Sequence, residues 1–231
     1  MLVINHQAIQ NTWTTPEQIL NPQTLILGSF NPYNSIGNTV DYYYGRKSNY
    51  LWRRIAVIMG YDEEYFFDNI HGHERKHEVM KNRFCFYDII NRINVKGQDI
   101  QFVSKYVNEN IFNNFFDSKI FVTKVKESQV SLQREYNRNI ITTLETTSTI
   151  NKVIHTIGNN RIVTPLDVSP KEKKLGIDGL GGFMAAIKQK CDERGIQFIT
   201  QSYSPSGYAV RNGSTNIEDL DKWLEKHLNL R

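Results

Sequence analysis

An apolar run, Leu25, Ile26 and Leu27, passes directly into Gly28-Ser29-Phe30-Asn31-Pro32, and no other feature of the 231-residue chain restricts its fold as much. A short continuous apolar run bounded by turn residues reads as a buried strand. Gly28 lets the backbone turn or be approached closely, and Pro32 stops it continuing as strand or helix. Asn31 is therefore expected at a strand's carboxyl end, which is where ligands bind in open α/β sheets. Tyr42, Tyr43 and Tyr44 follow in the next loop, and the whole layout suits a pocket that grips a flat, polar ring.

Short apolar runs alternate with helical stretches along the chain, the signature of an α/β fold. Strands are expected at about 24–29, 83–90 (RFCFYDII), 119–125 (KIFVTKV), 152–157 (KVIHTI) and 197–201. Helices are expected at about 49–60, 130–144, 181–193 and 216–228, the first closed by Gly60 and the last carrying Leu220, Trp223, Leu224 and Leu228 on one side. The length is most simply one domain spanning 1–231, with an insertion or elaboration at about 105–150.

Composition narrows the classes further. Aromatic residues at 12% and apolar residues at 39% fit a globular protein and exclude wholesale disorder. A net charge of +4 suits an anionic partner without requiring one. No apolar run approaches the roughly 18 residues of a membrane span. The N-terminal MLVINHQAIQ has neither a basic region nor a signal-peptide core, so a cytoplasmic location is expected. Cys85 and Cys191 stand far apart with no CxxC neighbour, which leaves a zinc knuckle, an iron-sulfur cluster or a disulfide framework without ligands.

The last expected strand delivers a second turn loop, SYSPSGYAV, containing Ser204, Pro205, Ser206 and Gly207. Two loops leaving parallel strands at the same edge can converge on one site. Together GSFNP and SPSG resemble the two active-site motifs of the uracil-DNA glycosylase superfamily, closest to its mismatch-specific uracil/thymine and hypoxanthine-type branches. The intervening YYYGRKSNYLWRRI follows the same family's pattern of an aromatic, a short loop, an Asn and then Trp. FYDII at 86–90 resembles the family's second strand, and 100–150 matches no part of it.

The resemblance implies a three-layer α/β/α sandwich with a short, mainly four-stranded parallel sheet. It implies a monofunctional DNA glycosylase that hydrolyses the N-glycosidic bond of uracil or another deaminated base, in base-excision repair. Such an enzyme flips the base out of the DNA, works as a monomer and needs no metal or organic cofactor. Cleavage requires a water at the sugar's anomeric carbon and stabilisation of the charge growing on the departing base. On the resemblance, Gly28, Ser29 and Phe30 line the base pocket and Asn31 holds the water through its side-chain carbonyl. An Asn cannot take up a proton, and faster branches of the family carry Asp there, so a slow enzyme is expected.

Tyr44 falls where the family stacks an aromatic ring on the flipped base, and Asn49 either hydrogen-bonds the base or caps the Trp52 helix. Tyr33 occupies the position that the strict uracil branch uses to exclude the thymine methyl, so uracil is expected over thymine. Ser204 stands where other branches place His or Asn beside the leaving base, and a shorter neutral donor there bears directly on rate. Ser206 and Gly207 would take a DNA phosphate, Tyr208 or its neighbour would wedge into the base stack, and Arg211 would bind phosphate.

Two rivals belong to other classes. A catalytically weak DNA- or nucleotide-binding member of the same fold is suggested by Ser204. A metal-dependent nuclease is suggested by Asp167, Glu172 and Lys174, although their spacing is cramped. His73 and His77 are four apart and would share a helix face, but the run from His71 to His77 is polar and lacks the HExxH order, so a solvated or DNA-facing segment is expected. Gly179, Gly181 and Gly182 read as a turn and helix start rather than a phosphate cradle.

Overall fold

The structure, a computed structural model, describes residues 1–6, 15–31, 43–97, 99–109, 124–125, 130–157 and 179–230. The order of strands and helices along them is β1 (Leu2–Asn5), β2 (Thr24–Gly28), α1 (Leu51–Ile58), α2 (Gly72–Met80), β3 (Phe84–Asp88), β4 (Ile90–Lys96), α3 (Ile100–Glu109), β5 (Lys124–Val125), β6 (Val130–Tyr136), α4 (Asn139–Thr146), β7 (Lys152–His155), α5 (Leu180–Arg194), β8 (Gln197–Phe198), α6 (Gly207–Arg211) and α7 (Ile217–Leu228).

A parallel four-stranded sheet runs β3-β2-β7-β8, as the α/β reading anticipates. All five residues of β2 are buried, because the strand is paired on both edges and covered on both faces. One face meets α1, whose Trp52 ring lies 5.8 Å from Phe86 and 6.2 Å from Phe84. Tyr87, one residue out of phase, points to the opposite face, where Thr143 of α4 hydrogen-bonds it. Helix α4 in turn packs along α5.

Helix α7 packs on α1, and Arg54 joins them with a two-pronged hydrogen bond to Asp221 at 2.8 and 2.7 Å. Its start is set by Asn216, whose side-chain oxygen accepts from Glu218 N–H and Asp219 N–H. Each of α1, α5 and α7 follows the apolar periodicity of its own sequence within a residue or two.

Two expectations are corrected. The segment 130–144, read as helical, is a strand from Val130 to Tyr136, and its helix begins at Asn139. Leu132, Arg134 and Tyr136 are buried with period two, and β6 pairs antiparallel with β4 from Ile90↔Tyr136 to Lys96↔Ser131. The expected strand at 83–90 ends at Asp88, and the chain passes through Ile89 into β4. A second, antiparallel sheet of order β1-β4-β6-β5 thus grows from the carboxyl end of β3, and nothing in the sequence pattern announced it. The region 105–150 supplies β6 and α4 to the two layers. Of the expected strand 119–125 only 124–125 are described, and the last strand ends at Phe198 rather than 201.

Candidate functional site

Strands β2, β3 and β7 end at one edge of the parallel sheet, and the segments that follow them meet there. Gly28 lies level with Asp88, and the N–H groups of Ile89 and Ile90 donate to the carbonyls of Gly28 and Ser29 at 3.0 and 3.2 Å. A methyl group on Gly28 would overlap Asp88 Oδ1 and sit 2.6 Å from the Tyr44 hydroxyl oxygen. Glycine is required here by close approach rather than by backbone angle.

Tyr44 takes a left-handed backbone conformation, φ 57°, which a non-glycine residue holds only at some cost. That turn sends its hydroxyl to Thr156 Oγ1, just beyond β7, at 2.7 Å, while its ring lies tilted 5.4 Å from Phe86. Phe30 is buried, and Asn31 is half-buried immediately after it.

The carboxylate of Asp88 is buried and meets His6 Nε2 at 2.6 Å through Oδ2. Facing a carboxylate, that ring nitrogen is the donor. His6, the residue after β1 of the antiparallel sheet, stacks on Tyr43 at 5.4 Å and meets Phe30 edge-on at 5.6 Å. Burial, with Asp88 and Tyr87 nearby, holds the Tyr43 phenol well above its ordinary range.

The tyrosine loop and the second turn loop are in contact. Tyr50 N–H donates to Pro205 O at 2.7 Å, and a methyl on Gly207 would overlap the carbonyl of Ser48. Within the second loop Ser206 Oγ accepts from Ala209 N–H at 3.1 Å as the cap of α6. Ser204 Oγ donates to Ser206 Oγ at 3.2 Å and lies 3.4 Å from Ser206 N–H. Asn49 Oδ1 accepts from Leu51 N–H at 2.9 Å, the loop-fixing role at the start of α1. Tyr208 is 75% exposed and Arg211 is exposed beside it. Burial lowers the Arg46 guanidinium, in the same tyrosine loop, to about 10.

The first loop residues Gly28, Ser29, Phe30 and Asn31 and the tyrosine-loop residue Tyr44 therefore share one sheet edge. Asn49 and the loop from Ser204 to Gly207 meet through neighbouring backbone, and Tyr33 lies outside the described residues. His6, Asp88 and Thr156 join this edge without having been legible as site residues. Asp88 did carry a signal, a polar residue ending the apolar run of β3 just as Asn31 follows that of β2. His6 carried none, because its partner is 82 residues away. Chemically the edge offers a carboxylate held by an imidazole, a phenol and a threonine hydroxyl.

His155, the last residue of β7, is fully buried and its Nε2 lies 3.1 Å from Thr200 O. The carbonyl fixes the proton on Nε2, and Nδ1 has no partner among the described residues. Burial pushes the imidazole down to about 4 against the opposing pull of Thr200. The unfolded chain takes up this proton near its ordinary 6.5, so stability is full above that pH and falls as pH drops toward about 4, by up to about 3 kcal/mol. Urea unfolding at about pH 7 and about pH 4 should show this loss, and His155→Gln should remove its share while His227, lowered the same way by burial and two lysines, retains the rest. An unchanged acid-side loss in His155→Gln would rule out His155 as a source.

Among the described residues, the remaining constellations lie on other elements. Gly179 precedes the first residue of α5, as a turn and helix start. On α2 His73 is exposed and His77 half-buried, but Lys76 between them is buried, donating to Phe66 O with its ammonium 5.6 Å over the Trp52 ring, so the segment is not solvated throughout. Asp167, Glu172 and Lys174 lie outside the described residues. Among the described residues no cluster of three His, Cys, Asp or Glu could hold a metal ion, and no helix is long and apolar enough to cross a membrane. Comparison with protein-family models, curated proteins and solved structures finds no match for this chain.

Proposed function

We propose that this chain is a monofunctional DNA glycosylase of the uracil-DNA glycosylase type, acting in the cytoplasm on uracil or another deaminated base in DNA. One observation carries the reading: beside the carboxyl edge of a four-stranded parallel sheet the tyrosine loop touches both the end of β2, through Tyr44 at Gly28, and the loop from Ser204 to Gly207, through Tyr50 and Ser48. Each of two short motifs that resemble the same family, 173 residues apart from Asn31 to Ser204, thus adjoins the same tyrosine loop. In this reading Asn31 positions the water, Tyr44 forms the base platform, and Ser206, Gly207, Tyr208 and Arg211 face the DNA. The base leaves with the bonding electrons, and the water oxygen replaces it on the sugar.

The test uses end-labelled duplexes carrying uracil, hypoxanthine, xanthine or thymine, incubated in EDTA or in Mg²⁺ and each split into samples with and without hot alkali. Alkali-dependent breaks are the expected result. Metal-dependent breaks without alkali would instead identify a nuclease. Binding without breaks would identify a catalytically weak member of the fold, a reading favoured by the Ser204 hydroxyl being engaged within its own turn. Asn31→Ala is expected to lower release by about 10²-fold with an unchanged melting temperature, because misplacement of a reacting water costs that much. Release at the wild-type rate in Asn31→Ala removes Asn31 from the water-holding role.

A further inference from the structure

The glycosylase reading leaves a chemical gap, since Asn31 holds a water but has no group to take its proton or to balance the positive charge that develops on the sugar. We propose that Asp88 is the carboxylate that fills this gap, with His6 as the residue that positions it; the inference rests on the glycosylase reading of the same site.

The two carboxylate oxygens of Asp88 have different surroundings. Oδ2 receives the Nε2–H of His6 at 2.6 Å. Oδ1 lies over Gly28, in the space a side chain there would fill, beside the Tyr44 hydroxyl. Gly28 is also where the chain leaves β2 for Asn31, so Oδ1 stands at the root of the loop that holds the water. His6 is fixed in turn by the stacked Tyr43 ring and the edge of Phe30. Among the described residues, the titratable groups brought to Asp88 include His6, just after β1, and Tyr43 and Tyr44 from the tyrosine loop.

A structural tie between the two sheets does not need this pair. They are already joined covalently where β3 runs into β4, and Ile90 N–H at the start of β4 donates to Ser29 O, just after β2, at 3.2 Å. Burying a carboxylate is costly unless partners satisfy it, and replacing such pairs by apolar side chains is often neutral for stability, so its presence at a sheet edge calls for another use. In the reaction the water oxygen bonds to the anomeric carbon and the carbon–nitrogen bond breaks with its electron pair on the base. The water proton passes to Asp88, which releases it to solvent. Before that transfer the carboxylate offsets the cationic sugar.

The test compares binding of duplexes with one of two abasic analogues, a cationic pyrrolidine or a neutral tetrahydrofuran. Wild-type protein should prefer the cationic duplex by about tenfold or more, as expected for a charge pair in a partly desolvated site. Asp88→Asn retains an oxygen acceptor for His6, so it should melt near the wild-type temperature and bind the neutral duplex within about threefold of wild type while losing the preference. Its base release should fall by about 10²-fold or more, and His6→Gln should produce a smaller fall. Equal wild-type binding of the two analogues, or a preference or release rate that survives Asp88→Asn, overturns the assignment. The wild-type preference is read on the unaltered protein, so a variant that fails to fold does not remove the test. A preference that depends on Asp88 in a protein releasing no base keeps the carboxylate and rejects the glycosylase; base release without the preference does the reverse.

Discussion

Gly28→Ala is expected to destabilise the protein by about 1–3 kcal/mol and, on the proposed glycosylase function, to lower base release by about 10³-fold. The added methyl would overlap Asp88 Oδ1, lie 2.6 Å from the Tyr44 hydroxyl and 3.1 Å from Asp88 Cγ. Neither side chain is free to give way. Asp88 is held by His6 at 2.6 Å, itself stacked on Tyr43, and Tyr44 is held by Thr156 at 2.7 Å with its ring beside Phe86. The backbone of Gly28 is paired on the β3 side level with Asp88, so the strand cannot shift without breaking its ladder. Either Asp88 rotates away, leaving the buried imidazole of His6 without its acceptor, or Tyr44 leaves Thr156 and the platform moves. Denaturant unfolding and single-turnover release on one preparation measure both effects. Wild-type values for both would mean that Asp88 and Tyr44 do not converge on Gly28 in solution.

Trp52→Ala should cost about 3–5 kcal/mol, a large share of the 5–15 kcal/mol that holds a typical domain together. The side chain is wholly buried, its ring lies 5.2 Å from Phe66 and 5.8 Å from Phe86, and the Lys76 ammonium stands 5.6 Å above it. Removing it empties the contact between α1 and the parallel sheet. It also strips the Tyr43 carbonyl of the Nε1–H bond it receives at 2.8 Å. Tyr43 stacks on His6, so the loss reaches the site as well as the core. Trp52→Phe keeps much of the ring volume but not the donor, and should cost about 1–3 kcal/mol. If urea melts rank the two variants equally, the Nε1 bond carries the stability and the packing does not.

Legibility along the chain followed the range of the interaction. Helices α1, α5 and α7 could be read because one turn of each selects its own apolar face, and Gly60 and Gly195, at φ 82° and 67°, mark the stops where left-handed backbone is needed. Strand β2 could be read because its Leu25, Ile26 and Leu27 form a continuous apolar run that ends in Gly28. Strand β6 could not. Val-Ser-Leu-Gln-Arg-Glu-Tyr has enough helix-favouring residues to suit either state, and pairing with β4 decides between them. The site divides in the same way: Gly28, Asn31 and Tyr44 lie in local motifs and the Ser204 hydroxyl and Asn49 carbonyl are engaged by local turn and helix-start bonds, whereas the contact of His6 with Asp88 is long-range.

By itself the sequence specified a strand ending in Gly-Ser-Phe-Asn, a tyrosine loop, a serine-rich turn and the helices between them, because each is encoded in residues adjacent along the chain. Only the tertiary structure decided that an antiparallel sheet grows from the end of β3, and that its first strand carries His6 onto Asp88 beside Gly28. That contact joins residues 82 positions apart. No local pattern encodes it, because strand pairing is specified jointly by two distant segments and by the core that both must cover.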